Sequence, residues 1–200
     1  GILYWESNGT ITQFGVTTEL AGLDAWCNMS GTWFNITTGE GGLWQPNVYS
    51  TSTGVISFGK IVEAAEMTAA FGAVSKLVAL VSVKAFSVLN TDIASLRQYD
   101  SSFSTAKAKM GVRGIEFDCS IGTIEILPHP FQSDGVVHMF APDEVLRTGS
   151  TDIEFVERNG NKLILESSTT PSGEIRTYSN QQLFVEQPRH LVLMSGLTFG

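Results

Sequence analysis

The chain has 200 residues, 42% of them hydrophobic and 16% charged, a balance that rules out intrinsic disorder as the main state and supplies a buried core without disulfide staples. Its 12 basic and 20 acidic residues leave a net charge of −8. Residues 1–56 hold Glu6, Glu19, Asp24 and Glu40 with no Lys or Arg, residues 57–110 come to +2 and residues 111–200 to −6, so no basic stripe exists and tight phosphate-neutralising contact with DNA or RNA is argued against.

Residues 1–56 are rich in Gly, Ser, Thr, Asn and aromatics, with Tyr4, Trp5, Phe14, Trp26, Trp33, Phe34, Trp44 and Tyr49 spread between turn signals such as Asn8-Gly9 and Ser30-Gly31. This reads as loops and short β segments pinned by aromatic anchors, with no hydrophobic core of their own. Ser57 is placed to cap a helix with apolar positions Phe58, Ile61, Val62, Ala65 and Ala69, stopped by Gly72. The run Lys76-Leu-Val-Ala-Leu-Val-Ser-Val83 reads as a strand buried on both faces. A second helical stretch covers about Lys84 to Tyr99, with Thr91 able to restart it after a break at Asn90.

Beyond Lys109 the period becomes two. Val112, Ile115, Phe117 and Cys119 alternate with Arg113, Glu116 and Asp118, a turn falls at Ser120-Ile121-Gly122, and Thr123 to Leu127 returns. The expected antiparallel hairpin turns Ile115, Phe117, Ile124 and Ile126 inward and Glu116, Asp118 and Glu125 outward. Further strands are expected at Val136–Phe140, Ile153–Glu157, Lys162–Glu166, Gln181–Gln187 and Leu191–Met194, with a short helical or turn piece opened by Pro142-Asp143-Glu144. No internal repeat or heptad pattern is present.

Chemical motifs are sparse. The sequence lacks a Gly-x-Ser-x-Gly elbow, a phosphate-binding loop, a His-Glu-x-x-His helix and a dinucleotide fingerprint. His129, His138 and His190 are isolated, and read as satisfied structural residues. Cys27 and Cys119 form no Cys-x-x-Cys pair and read as buried free thiols. Glu116, Asp118 and Glu125 are the best carboxylate cluster; such a cluster can run acid–base chemistry on a sugar, or be the solvated face of a half-buried hairpin, and the second reading is favoured. Sequons at Asn8, Asn28 and Asn35 fall in a Ser/Thr-rich stretch where chance makes them common, so glycosylation is not expected. The longest charge-free apolar run, Leu77 to Val83, is too short to span a bilayer, and a soluble chain is expected.

The order of elements is itself a signature. Gly59-Lys-Ile-Val-Glu-Ala-Ala65, Lys76 to Val83 and Ile93-Ala-Ser-Leu-Arg-Gln-Tyr99 resemble the central region of tailed-bacteriophage major capsid proteins of the Hong Kong 97 type. Gly122-Thr-Ile-Glu-Ile-Leu-Pro128, Gly135-Val-Val-His-Met-Phe-Ala-Pro-Asp143-Glu-Val-Leu-Arg147 and Leu183 to Leu197 resemble that family's closing hairpin, its following strand segment and its terminal strand. The resemblance covers roughly residues 55–200 and rests on patterns of hydrophobicity and turns. It implies an α+β fold of the Hong Kong 97 type, a mixed α/β axial domain plus a strand-rich peripheral domain. The expected division is an aromatic, Gly-rich segment at 1–56, an axial core at 57–110 and a peripheral, closing region at 111–200.

The function implied is that of a major head protein whose pentamers and hexamers tile an icosahedral virion shell around double-stranded DNA, assembled in the host cytoplasm. It implies no catalytic, cofactor-binding or metal residue, no membrane, no sequence-specific DNA contact, and scaffolding, portal or decoration proteins as further partners. Relatives usually begin with an extended arm, a long two-stranded loop and a spine helix. No long helical period precedes Ser57 here, so the chain is expected to be a truncated or compact member that does not close shells alone. The alternatives are an encapsulin-like compartment shell, and a carbohydrate-active or ligand-binding β-rich protein resting on the aromatic segment and the hairpin carboxylates.

Overall fold

The computed structural model describes residues 12–13, 16–17, 21–73, 76–97, 114–119, 121–155, 165–166, 173–174 and 177–199. Its strands are β1 (Thr12–Gln13), β2 (Val16–Thr17), β3 (Thr32–Trp33), β4 (Ile36–Thr37), β5 (Asn47–Val55), β6 (Leu77–Ser82), β7 (Ile115–Cys119), β8 (Gly122–His129), β9 (Val137–Phe140), β10 (Val145–Phe155), β11 (Leu165–Glu166), β12 (Gly173–Glu174), β13 (Thr177–Val185) and β14 (Val192–Thr198). Three α-helices are described: α1 (Leu23–Cys27), α2 (Phe58–Ala69) and α3 (Val83–Arg97). A six-stranded mixed sheet in the order β5-β14-β9-β6-β8-β7 forms the body. β5 runs parallel to β14 and β6 parallel to β8; the other neighbours are antiparallel.

Alternation along the central strands builds two cores on one sheet. Leu77, Ala79 and Val81 of β6 join Val137, Met139, Val192 and Met194 beneath α2 and α3. Val78, Leu80 and Leu193 point the other way, against α1, where Leu23, Trp26 and Cys27 are buried. Every residue of β6 is buried, as a run of apolar and small residues at the middle of a covered sheet requires.

Local signals start and stop the helices. Ser57 Oγ accepts from the Lys60 amide at 3.5 Å, and Gly72, at φ +95°, turns the chain out of α2. The buried stripe of α2 is Ile61, Ala64, Ala65 and Thr68. Ala64 and Thr68 replace the expected Val62 and Ala69, because small residues let the helix sit close to the sheet and Thr68 Oγ1 satisfies itself on the Ala65 carbonyl at 2.7 Å. Ser82 ends β6 and caps α3 at once, its Oγ accepting from the Ala85 amide at 3.2 Å. The expected break at Asn90-Thr91 is absent: α3 runs through, and Thr91 Oγ1 donates back to the Ser87 carbonyl at 3.0 Å. Tyr99 and Val112 lie outside the described residues.

The β7–β8 hairpin has the expected register, with Ile115 opposite Ile126, Glu116 opposite Glu125 and Phe117 opposite Ile124. Other expectations change. The stretch read as loops and short β segments also contains α1 and the nine-residue edge strand β5, whose Ser/Thr-rich sequence carries no apolar period. The strand expected at Ile153 begins at Val145, and its partner runs Thr177–Val185 in place of Gln181–Gln187. The last strand extends to Thr198. Gly135, at φ +79°, passes so close to β14 that an added Cβ would lie 2.9 Å from the Leu197 carbonyl oxygen. The sheet takes β5 from residues 1–56, β6 from 57–110 and four strands from 111–200, so compositional boundaries and the sheet's boundaries differ.

Candidate assembly surface

The hairpin carboxylates meet as the register dictates, and a cation joins them. Lys76 Nζ lies 2.7 Å from Glu125 Oε2 and 3.7 Å from Glu116 Oε1. Its hydrogen bond to Glu125, the larger influence, holds the ammonium above its ordinary pKa. Asp118 accepts from Thr123 Oγ1 at 2.7 Å. Two carboxylates sharing a lysine on a sheet face form an ion-pair network, with neither arranged as an acid–base pair across a cleft.

The histidines are placed by long-range contacts. His138, buried on β9, lies 3.2 Å by Nε2 from Asp24 Oδ1 of α1 and 3.1 Å by Nδ1 from Gln132 Oε1. His190, also buried, sits between Glu144, 2.7 Å from Nδ1, and the Phe71 carbonyl, 3.1 Å from Nε2. Each ties two elements of the fold together. His129 stacks edge-on against Phe131. Among the described residues no group of three His, Cys, Asp or Glu is gathered to hold a metal ion.

Asp24 titrates below its ordinary value, because the hydrogen bond from His138 stabilises the carboxylate and outweighs the opposing effect of burial. A depressed folded-state pKa contributes stability above the unfolded value of about 4 and loses it as pH falls through the folded value. We expect Asp24→Asn to cost about 1 kcal/mol at neutral pH, a figure discounted for the half-exposed carboxylate. The difference from the parent chain should shrink below about pH 4; urea unfolding of both proteins across pH 2–7 measures it.

Cys27 is buried and Cys119 half-buried, and both are free thiols. Burial pushes the Cys27 thiol far up, which makes it inert. Asn28 donates to the Asp24 carbonyl at 3.0 Å, Asn35 holds a left-handed turn position at φ 66°, and Asn8 lies outside the described residues. Tyr4, Trp5 and Phe14 lie outside the described residues; Trp33, Phe34, Trp44 and Phe184 all contact the fully buried Trp26, Phe34 with more than half of its surface exposed. They form a lid over the second core rather than an open groove, and Trp26 Nε1 donates to the Leu183 carbonyl at 3.2 Å.

Leu183 lies on β13, the partner of the largely exposed strand β10. β10 and β13 pair as a separate antiparallel ribbon from Val145 opposite Val185 to Phe155 opposite Thr177, with irregularities at Gly149–Thr151 and Thr151–Glu154. At its base Leu183 and Val185 are buried in the second core, with Val145 and Phe184 packed against it. Farther out, Ile153 is 60% and Phe155 48% exposed, and Leu146 is exposed as well. A two-stranded ribbon carrying bare apolar side chains is marginal alone in water and is stabilised when another surface covers it. The sequence points to strands at Ile153–Glu157 and Gln181–Gln187 but not to their pairing or full extent, because a strand exposed along most of its length has little alternation to mark its ends.

The chain's overall fold has a counterpart among solved structures. By sequence, no protein family and no curated protein matches the chain. By structure it is similar to a chain of the cyanophage A-1(L) capsid asymmetric unit, at 9% identity and a TM-score of 0.64 over 98% of this chain. The fold is phage capsid-like. The present chain spans 64% of that capsid chain's length. The α+β architecture expected from the sequence is therefore present, and the likeness concerns the arrangement of the backbone.

Proposed function

We propose that this chain is a structural subunit of a phage-type shell, of the Hong Kong 97 class, in which copies associate as pentamers and hexamers around packaged double-stranded DNA. The observation that carries this reading is the backbone likeness to a phage capsid chain over nearly the whole of the sequence. The sheet with α2 and α3 serves as the axial body, and the β10–β13 ribbon as the peripheral projection. Symmetric shells need repeated heterologous contacts, each modest, and an exposed apolar ribbon supplies one. A subunit of net charge −8 confines DNA mechanically without a strongly cationic lining that would hinder its movement. Assembly takes place in the host cytoplasm, and the virion is the destination. The reading assigns no catalytic residue: the hairpin carboxylates are engaged by Lys76 and Thr123.

An encapsulin-like compartment is the second reading, since it would use the same fold around protein cargo. Electron microscopy of particles formed by the chain in its native context, with their contents analysed after nuclease treatment, tests both. Shells holding nuclease-protected DNA are the expected result; shells filled with protein support the compartment, and a chain that never associates overturns both. Glu116→Gln with Glu125→Gln should leave assembly unchanged, whereas a hydrolase would lose turnover.

A further inference from the structure

At its first irregularity the β10–β13 ribbon pinches. Gly149 faces Gln181 there, and a Cβ on Gly149 would collide with the Asn180 carbonyl oxygen and lie 2.6 Å from Gln181 Cα. Only glycine permits that approach. Around the pinch, Arg147, Gly149, Ser150, Thr151, Asp152 and Gln181 line a polar pocket of about 140 Å³, large enough for a small polar group.

Most polar atoms of this pocket are matched within the ribbon. The Arg147 guanidinium donates to both Asp152 oxygens, at 3.5 and 3.3 Å. Thr151 Oγ1 accepts from the Asn180 amide at 2.9 Å. Gln181 differs: both Nε2 and Oε1 of its side chain are shut off from water and have no hydrogen-bond partner. A shielded amide with neither its donor nor its acceptor engaged is costly, and any arrangement that supplies both partners is favoured over it.

The group that supplies both together is an extended main chain, whose N–H and C=O of one residue point to the same side. The surroundings fit such a segment. Exposed Leu146 lies on one side of the pinch and exposed Ile153 and Phe155 on the other, so a polar centre sits between apolar shoulders, as in the contact of a strand with a receiving surface. Two copies of a chain of net charge −8 repel each other. They can meet closely where local charge cancels, and among the described residues the charged side chains lining the pocket are the paired Arg147 and Asp152.

We infer that the Gln181 pocket receives the main-chain N–H and C=O of an extended segment of a second copy of this chain, Gln181 turning into the pocket it lines. The identity of the partner rests on the shell reading; the chemistry of the pocket does not.

Gln181→Met keeps the side chain's length and removes its amide. A merely frustrated amide predicts an unchanged or raised melting temperature and unchanged self-association. The inferred contact predicts an unchanged or raised melting temperature with self-association weakened about tenfold in sedimentation velocity, the worth of one buried hydrogen-bonded contact. Association equal to the parent chain's, or weakened only in step with a lower melting temperature, overturns the inference and leaves the shell reading standing. A second measurement needs no assembly: the Gln181 side-chain NH₂ resonances of the dilute chain should shift on titration with N-methylacetamide, a bare peptide group. If they stay still, the pocket chemistry is wrong. If they shift while the chain never associates at any concentration, the second copy falls as the partner together with the shell reading.

Discussion

Replacing Trp26 by alanine should destabilise the chain by about 3–5 kcal/mol, enough to unfold a domain of ordinary stability at physiological temperature. Trp26 is fully buried and is the hub on which Trp33, Phe34, Trp44 and Phe184 converge. Its removal opens a cavity that four surrounding rings cannot fill without leaving their own contacts. It also leaves the Leu183 carbonyl without the indole donor that ties α1 to the ribbon base. Trp26→Phe separates the two effects: most of the packing survives and the carbonyl loses the indole donor while keeping the Gln182 side-chain amide, for about 0.5–1.5 kcal/mol. Urea unfolding followed by far-ultraviolet circular dichroism distinguishes the variants. A Trp26→Ala chain that unfolds within 1 kcal/mol of the parent, beyond ordinary error, would show that the second core is not a cooperative part of the fold.

The double variant Ile153→Ser, Phe155→Ser should do the opposite, leaving the fold intact and removing association. Both side chains already stand largely in water, so their loss should change folding stability by no more than about 0.5 kcal/mol. In a covered ribbon each would bury apolar surface worth about 1 kcal/mol or more, so the pair weakens each contact about tenfold to a hundredfold. A closed shell multiplies that loss over every repeat of the contact. Light scattering of parent and variant over a concentration series reads the effect, and equal scattering curves would remove the ribbon from the list of subunit contacts.

The elements legible in the sequence are those that meet the core with a regular period. β6 announced itself by Leu77 to Val81, a charge-free run at the middle of the sheet. The hairpin could be placed residue by residue because Ile115, Phe117, Ile124 and Ile126 alternate with acids. Ser57 and Gly72 marked α2 at both ends. What was not legible has a physical reason. β5 lies at a sheet edge with Ser and Thr where a central strand would have Val and Ile, and β10 is exposed along most of its length, so neither has an apolar rhythm that marks where it begins. The candidate surface suffered the same blindness. The histidines were read as structural, but their partners could not be named: Asp24 stands 114 residues from His138, and no local pattern links them. The aromatics of the first segment were legible as anchors, but side-chain direction in Gly-rich loops is set by the core that the loops cover, and which core that is becomes visible only when Trp26 and Phe184 are seen together.

The place of β14 also governs when the sheet can close. It lies between β5 and β9, and Asn47 at the start of β5 is fastened to the Arg189 carbonyl, 142 residues further along the chain. Until residues 192–198 have left the ribosome, β5 has no neighbour and the sheet stops at β9. Pairings so distant in sequence close slowly. A nascent chain therefore waits, its edge strand unmatched, until the β14 segment has been made. Before then Leu183 and Val185 at the ribbon base lack Leu193, one of the residues they pack with in the second core, so the ribbon is seated only after β14 has joined the sheet.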